Sequence, residues 1–223
     1  MKAFHIGLWG DSIGRGVVYD EAVGRYRISP ENPCAVLQKE LGLQVHNYAR
    51  MGSTARDGLE RMTEDRMERG GVAVIEFGGN DCDMDWKAVS RDPDAEHEAR
   101  LPLNQFKTTL QTLVERSRLN GMEPVLVTPP PIDAERYFRW VSRGLNAANI
   151  LRYLGDVEHS FRWQDGYAEC VRSVAKELGV RLVDVRSRMM SSGSLDDIIC
   201  VDGIHPNAAG HALIYDAVAP MFS

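Results

Sequence analysis

The sequence predicts an α/β fold in which a parallel sheet carries helices on both faces. Three observations carry that prediction. Short apolar runs rich in Val, Ile and Leu recur five times along the 223 residues, as strands buried on both faces require. Longer helical patterns fall between the runs, and such alternation belongs to parallel sheets with crossover helices. Gly42, Gly70-Gly71, Gly121 and Gly179 stand just past helical patterns, where a chain leaves a helix most easily.

Phe4 to Trp9 reads as the first strand. It is too short for a signal-peptide core and lacks a small-residue cleavage site. Asn32-Pro33 combines an N-cap with proline at the first helical position and opens a helix to about Leu41, which Gly42 stops. Leu43 to Tyr48 is the second strand. Ser53 to Arg69 fits a helix or two, and Val72 to Phe77 the third strand. Pro102 to Leu119 fits a helix with Leu103, Phe106, Leu110, Leu113 and Val114 on one face. Pro124 to Val127 is the fourth strand, Gln164 to Leu178 a further helix, Val180 to Val185 the fifth strand and Asn207 to Val218 the last helix. Crossovers in such a sheet are right-handed.

Two stretches break the alternation, at about 82–100 and 129–163. The first is polar and acidic. The second carries Tyr137, Phe138, Trp140, Tyr153, Phe161 and Trp163. Long insertions after strands shape binding sites, so these aromatics read as a substrate wall or lid. A satellite core packed under a long loop is the alternative. The expectation is a single domain over 1–223 with both insertions beside the substrate site.

Composition narrows the function. The net charge of -6 disfavours nonspecific attraction to nucleic acid or anionic membranes. No run is long and apolar enough to span a bilayer, so no membrane insertion is expected and the expected location is cytoplasmic. Cys34, Cys82, Cys170 and Cys200 are widely spaced, with no CxxC pair or metal spacing, and read as free thiols in a reducing compartment.

In an open parallel sheet ligands bind beyond the carboxyl ends of the strands. Four short blocks lie there. Gly10-Asp11-Ser12-Ile13-Gly14 follows the first strand, where a serine on a tight turn projects above the sheet edge and a backbone N–H can meet an oxyanion. A plain turn or cap is the alternative. Asp202-Gly203-Ile204-His205-Pro206 follows the fifth strand. Serine needs a base to act as nucleophile, histidine with its ordinary pKa near 6.5 is the natural one, and a carboxylate orients it. A helix-entry turn with a capping Asp is the alternative. Phe77-Gly78-Gly79-Asn80-Asp81 follows the third strand and offers an amide donor. Ala49-Arg50-Met51-Gly52-Ser53 follows the second and offers an unobstructed backbone N–H.

Together, in this order and from residue 10 to residue 206, the four blocks resemble those of the GDSL esterases, the SGNH hydrolase superfamily. Ile13 stands where the family name has Leu, an apolar exchange. The resemblance implies a flavodoxin-like three-layer α/β/α sandwich on a five-stranded parallel sheet, and no cofactor. It implies Ser12 as nucleophile, His205 as base and Asp202 as acid, with the N–H groups of Ser12 and Gly52 and the Asn80 side chain as oxyanion donors. The expected substrate is a small-molecule carboxylic ester, with short acetyl-type acyl groups on small or carbohydrate-like alcohols. Lysophospholipase, thioesterase or acyltransferase chemistry with the same residues is the alternative. Asp11, Arg15, Arg50 and Asp81 adjoin the motif residues and are candidates for substrate contact or for local salt bridges.

Readings from other classes are weaker. Gly14-Arg15-Gly16 lacks the lysine and spacing of phosphate-binding loops. A metal set of Asp202, His205 and His211 would need His211 from inside the last helix, without a HExxH pattern. A non-catalytic binding module would have no need of serine, histidine and an amide donor at once.

Overall fold

Apolar side chains on both faces of the first, third and fourth runs draw them together into the middle of one sheet, and this sheet is the centre of the molecule. A computed structural model describes residues 5–64 and 70–222. Phe4 and the part of the second expected helix running through 65–69 lie outside the described residues.

In chain order the elements are β1 (His5–Gly10), α1 (Ser12–Arg15), β2 (Val17–Asp20), β3 (Arg25–Ile28), α2 (Pro33–Leu41), β4 (Gln44–Asn47) and α3 (Ala55–Glu64). Then come β5 (Val72–Glu76), α4 (Trp86–Arg91), α5 (Leu103–Leu119), β6 (Glu123–Val127), α6 (Ala134–Val141) and α7 (Ala147–Leu154). The chain ends with α8 (His159–Leu178), β7 (Arg181–Val183), α9 (Val185–Met190) and α10 (Ala208–Val218). The sheet runs β4-β1-β5-β6-β7, and every pairing in it is parallel.

The pleat divides the core in two. On β5, Val72 and Val74 face one layer while Ala73 and Ile75 face the other. The first layer packs Leu37 of α2, Met189 of α9 and Ile214 of α10 against Ile6, Leu8 and Val125. The second packs Met62 of α3, Phe106 and Leu113 of α5 and Val171 of α8 against Trp9, Ile75 and Leu126. The result is the three-layer α/β/α sandwich that the alternation and the resemblance predict.

Several elements differ from expectation. Val17 to Ile28 forms an antiparallel hairpin, β2–β3, apart from the main sheet. Charged Arg25 and Arg27 and the polar turn hide it from a search for apolar runs. Its signal lies across the strands, in the facing pairs Tyr19 with Tyr26 and Asp20 with Arg25. The fifth strand ends at Val183, because the Asp184 side chain accepts the Ser187 N–H and turns the chain into α9. Helix α8 starts at His159, five residues before the expected Gln164, and Glu158 ahead of it makes no side-chain cap bond that could flag the start. Both insertions are helical: α4 lies in 82–100, and α6 and α7 lie in 129–163, opened by the caps Asp133 and Asn146. No helix among the described residues is long and apolar enough to cross a membrane.

Candidate active site

Chain order in the sheet determines where a ligand can enter. From β1 the chain moves outward to β4 and then returns to the other side of β1 as β5. The crossovers therefore diverge between β1 and β5 and leave a crevice at their carboxyl ends. Ser12 sits directly above it. Asp11 caps the one-turn helix α1 by accepting the Ile13 N–H at 2.8 Å, and Gly16, at φ 81°, ends that helix. Ser12 is thereby the first residue of a helix whose leading N–H groups have no partner within it.

His205 and Asp202 arrive from the turn before α10. Asp202 Oδ1 accepts the N–H groups of Ile204 at 3.0 Å and His205 at 3.1 Å, which folds the side chain of Asp202 onto its own turn. Gly203 sits at φ 76°, and a Cβ there would come within 2.2 Å of the Tyr137 backbone nitrogen. Only glycine lets the turn settle against α6 in this way. His205 Nδ1 donates to Asp202 Oδ2 across 2.6 Å, and Ser12 Oγ donates to His205 Nε2 across 2.9 Å. All three residues are buried. Burial opposes ionisation of Asp202, but the His205 ring and the two turn N–H groups outweigh it and hold its pKa below the ordinary value. An ionised Asp202 can only accept, so it fixes the tautomer in which Nε2 is free to accept the serine proton.

The remaining motif residues close the crevice. Gly52, at φ 78°, has open space where a side chain would stand. Asn80 donates from Nδ2 to Asp11 Oδ2 at 2.9 Å. Gly52 and Asn80 line one cleft of about 250 Å³ together with Ser12 and His205. That arrangement can present N–H donors to negative charge forming next to Ser12 Oγ.

Four further residues shape this cleft, and sequence reasoning passed over three of them, Arg100, Glu76 and Tyr26. Arg100 donates from Nη2 to the Gly52 carbonyl at 3.0 Å and from Nη1 to Asn80 Oδ1 at 3.4 Å. Glu76 lies beneath the Ser12 turn, and its Oε2 accepts the Gly14 N–H at 3.2 Å and the Asp11 N–H at 3.5 Å. Burial, and then the neighbouring Asp11 charge, raise its pKa well above the usual carboxyl range. Burial raises the Asp11 pKa as well, but Asp11 has compensating donors in Ile13 and Asn80, so the larger rise falls on Glu76. Tyr26, on β3, covers His205 with ring centroids 5.0 Å apart. Trp163, on α8, lines the far wall and donates to the Cys82 carbonyl. Of the three residues passed over, Glu76 alone carried a signal, an acidic residue ending an otherwise apolar strand.

The candidate substrate contacts divide. Asp11 lines the cleft floor, with its carboxylate engaged by Ile13 and Asn80. Arg15 is exposed, reaches the Asn47 carbonyl at 3.4 Å and lines a second cavity. Asp81 does not reach the cleft. It is fully buried and accepts the Ala55 N–H at 2.7 Å and the Gly78 N–H at 2.9 Å, tying the start of α3 to the glycine turn after β5. Burial pushes its pKa up to about 7 against those two bonds. His211 donates from Nε2 to the Val17 carbonyl, and burial lowers its pKa to about 4. It joins α10 to the hairpin and stands apart from the cleft lining. Cys82 gives its thiol proton to the Gly79 carbonyl, and burial holds the thiol far from ionisation. The two insertions pack against each other and border the cleft. Trp86, Tyr153 and Leu154 belong to a satellite core around Val89 and Ile150, and the same three side chains line the cleft.

Comparisons with known proteins bear on the family and the fold. Residues 8–213 match the model of the GDSL-like Lipase/Acylhydrolase family. A GDSL esterase/lipase of Arabidopsis thaliana is 26% identical over 155 residues, 68% of this chain and 59% of the relative. A second from the same plant is 25% identical over 219 residues, 95% of this chain and 83% of the relative. The chain thus spans less than two thirds of the first relative's length. Among solved structures, a lipase/acylhydrolase from Enterococcus faecalis superposes with a TM-score of 0.69 at 21% identity, covering 98% of this chain and 94% of that one. The acetylxylan esterase Axe2 from Geobacillus stearothermophilus superposes with a TM-score of 0.65 at 21% identity, covering 100% and 97%. With its motif blocks gathered on one sheet edge and a family match over nearly its whole length, the chain belongs to the GDSL-like lipase/acylhydrolase family.

Proposed function

We propose that this acylhydrolase is a serine ester hydrolase that cleaves short, acetyl-type esters of small or carbohydrate-like alcohols through an acyl-enzyme on Ser12. The observation that carries the reading is the unbroken chain from Ser12 Oγ through His205 to Asp202, at 2.9 and 2.6 Å. Ser12 attacks the ester carbonyl as His205 Nε2 takes its proton. Asp202 holds the imidazole and stabilises the imidazolium. The N–H groups of Ser12 and Gly52 and the Asn80 amide receive the oxyanion. His205 then protonates the leaving alcohol, and water releases the acid by the reverse path.

The preference for short acyl groups is supported by volume. A cleft of about 250 Å³ must hold the acyl group and part of the alcohol, and it lies below the usual size of sites for larger ligands. Pro129, Ile132 and Trp163 give it an apolar wall suited to a few methyl or methylene groups.

The test is hydrolysis of p-nitrophenyl acetate and butyrate by the wild type and by Ser12→Ala, with folding followed by circular dichroism. Activity should vanish in a folded Ser12→Ala variant. Activity that survives the substitution removes Ser12 from the mechanism, and a wild type inert on both esters favours a binding module on this fold.

A further inference from the structure

A second cavity, of about 540 Å³, opens beside the catalytic cleft and has four arginines in its lining: Arg15, Arg27, Arg50 and Arg61. Such a concentration of positive charge runs against the acidic balance of the whole chain, whose net charge is -6. Part of it is answered locally. Arg27 pairs with Asp20 at 2.7 Å, and Asp57 stands one turn from Arg61 on α3. Arg15 and Arg50 differ. Arg15 meets a backbone carbonyl at 3.4 Å, and among the described residues no carboxylate pairs with either side chain. Both are exposed and line the same cavity.

The two cavities share Tyr26 and Met51 in their linings. Tyr26 also covers the His205 ring at 5.0 Å. This sets a direction. In ester cleavage the leaving oxygen must lie where His205 Nε2 can protonate it, so the alcohol half of the substrate departs along the side that His205 and Tyr26 form. Beyond Tyr26 lie the arginines. The acyl half has the opposite, apolar wall of Pro129, Ile132 and Trp163.

We infer that the alcohol half of the substrate carries an anionic group, a carboxylate or phosphate, and that Arg15 and Arg50 bind it in this second cavity. The inference rests on the Ser12 reading and adds the charge of the leaving alcohol to it. Guanidinium groups suit such oxyanions because their planar fork of donors matches two oxygens at once. Only the acylation step contains the alcohol, so the preference belongs to kcat/KM and not to release of the acetyl group.

The probes are the acetyl esters of 4-hydroxybenzoate and of 3-(4-hydroxyphenyl)propanoate, two reaches of one anion, each compared with its neutral carboxamide. Expected is a kcat/KM ratio of anion to amide of about tenfold or more for at least one reach, the size of a charge-assisted hydrogen bond. The ratio should fall towards one in Arg15→Gln/Arg50→Gln and in concentrated salt, which screens exposed charges. A ratio near one for both reaches in the wild type, or a ratio unchanged in the double variant, overturns the inference. The amides test the underlying reading separately: if folded Ser12→Ala still cleaves them, that reading fails; if it does not and the ratio is one, the anion site alone fails.

Discussion

Arg100 touches two proposed oxyanion donors at once, holding the Gly52 carbonyl at 3.0 Å and Asn80 Oδ1 at 3.4 Å. With Asp11 on Nδ2, the amide of Asn80 is held at both ends, so its second N–H has a fixed direction. Asn80→Ala should lower kcat by about 10²–10³, the usual loss for one oxyanion donor. Arg100→Met should lower kcat by about tenfold with little change in KM, since a positioning group acts through the donors it orients. In the double variant the two losses should not multiply, because Arg100 has no amide left to orient. Full multiplication would separate the two residues. Glu76 gives a pH test. A carboxyl kept neutral by the fold contributes stability that is full below its ordinary value of 4.5 and is lost as pH rises towards its raised folded value. Glu76→Gln keeps a neutral donor and acceptor without ionising. Melting temperatures between about pH 5 and pH 9 should therefore show the variant gaining on the wild type as pH rises. A difference independent of pH would mean that Glu76 is already ionised in the fold. The meeting of Ser12, Asn80, Asp202 and His205 at one sheet edge was legible in the sequence because each stands in a short block that follows an apolar run. Arg100 was not. Its contacts lie 20 and 48 positions away, and an arginine in an acidic stretch carries no mark of them.

The β2–β3 hairpin is the element that most changes the picture of the site. A lone two-stranded ribbon is marginal in water, and this one is secured by aromatic contacts with an insertion helix. Trp140 of α6 meets the Tyr19 ring at 4.8 Å and the Tyr26 ring at 6.4 Å, and Arg143 lies 3.8 Å over the Trp140 ring. The wall above His205 thus depends on a helix far along the chain. Trp140→Ala should loosen the hairpin, raise KM for aryl esters several-fold and open Val17–Ile28 to hydrogen exchange, while β5 and β6 stay protected. Equal exchange in the hairpin of both proteins would deny the coupling. The central strands were legible from their apolar runs, and α2 from Asn32-Pro33. The hairpin and the insertion helices α4, α6 and α7 were not, since short amphipathic elements take their stability from tertiary packing and leave only a weak local pattern.

At the scale of the molecule, two apolar layers on opposite faces of one sheet keep the five strand ends level. Phe106 is fully buried in the layer beneath α5 and α8, against Tyr167 at 5.1 Å. Phe106→Ala should cost about 3–5 kcal/mol, read as a lower urea midpoint at unchanged slope. A loss under about 1 kcal/mol would mean that the layer collapses into the space. The three-layer architecture was legible because alternation and apolar runs are global properties of the sequence. The second cavity was not, since Arg15, Arg27, Arg50 and Arg61 come from four separate segments.

The proposed nucleophile and its proposed base stand 193 positions apart. During synthesis Ser12 waits through all of that intervening length without His205 to activate it. On the proposed mechanism, ester-cleaving ability is withheld until the turn that carries His205 has left the ribosome and docked.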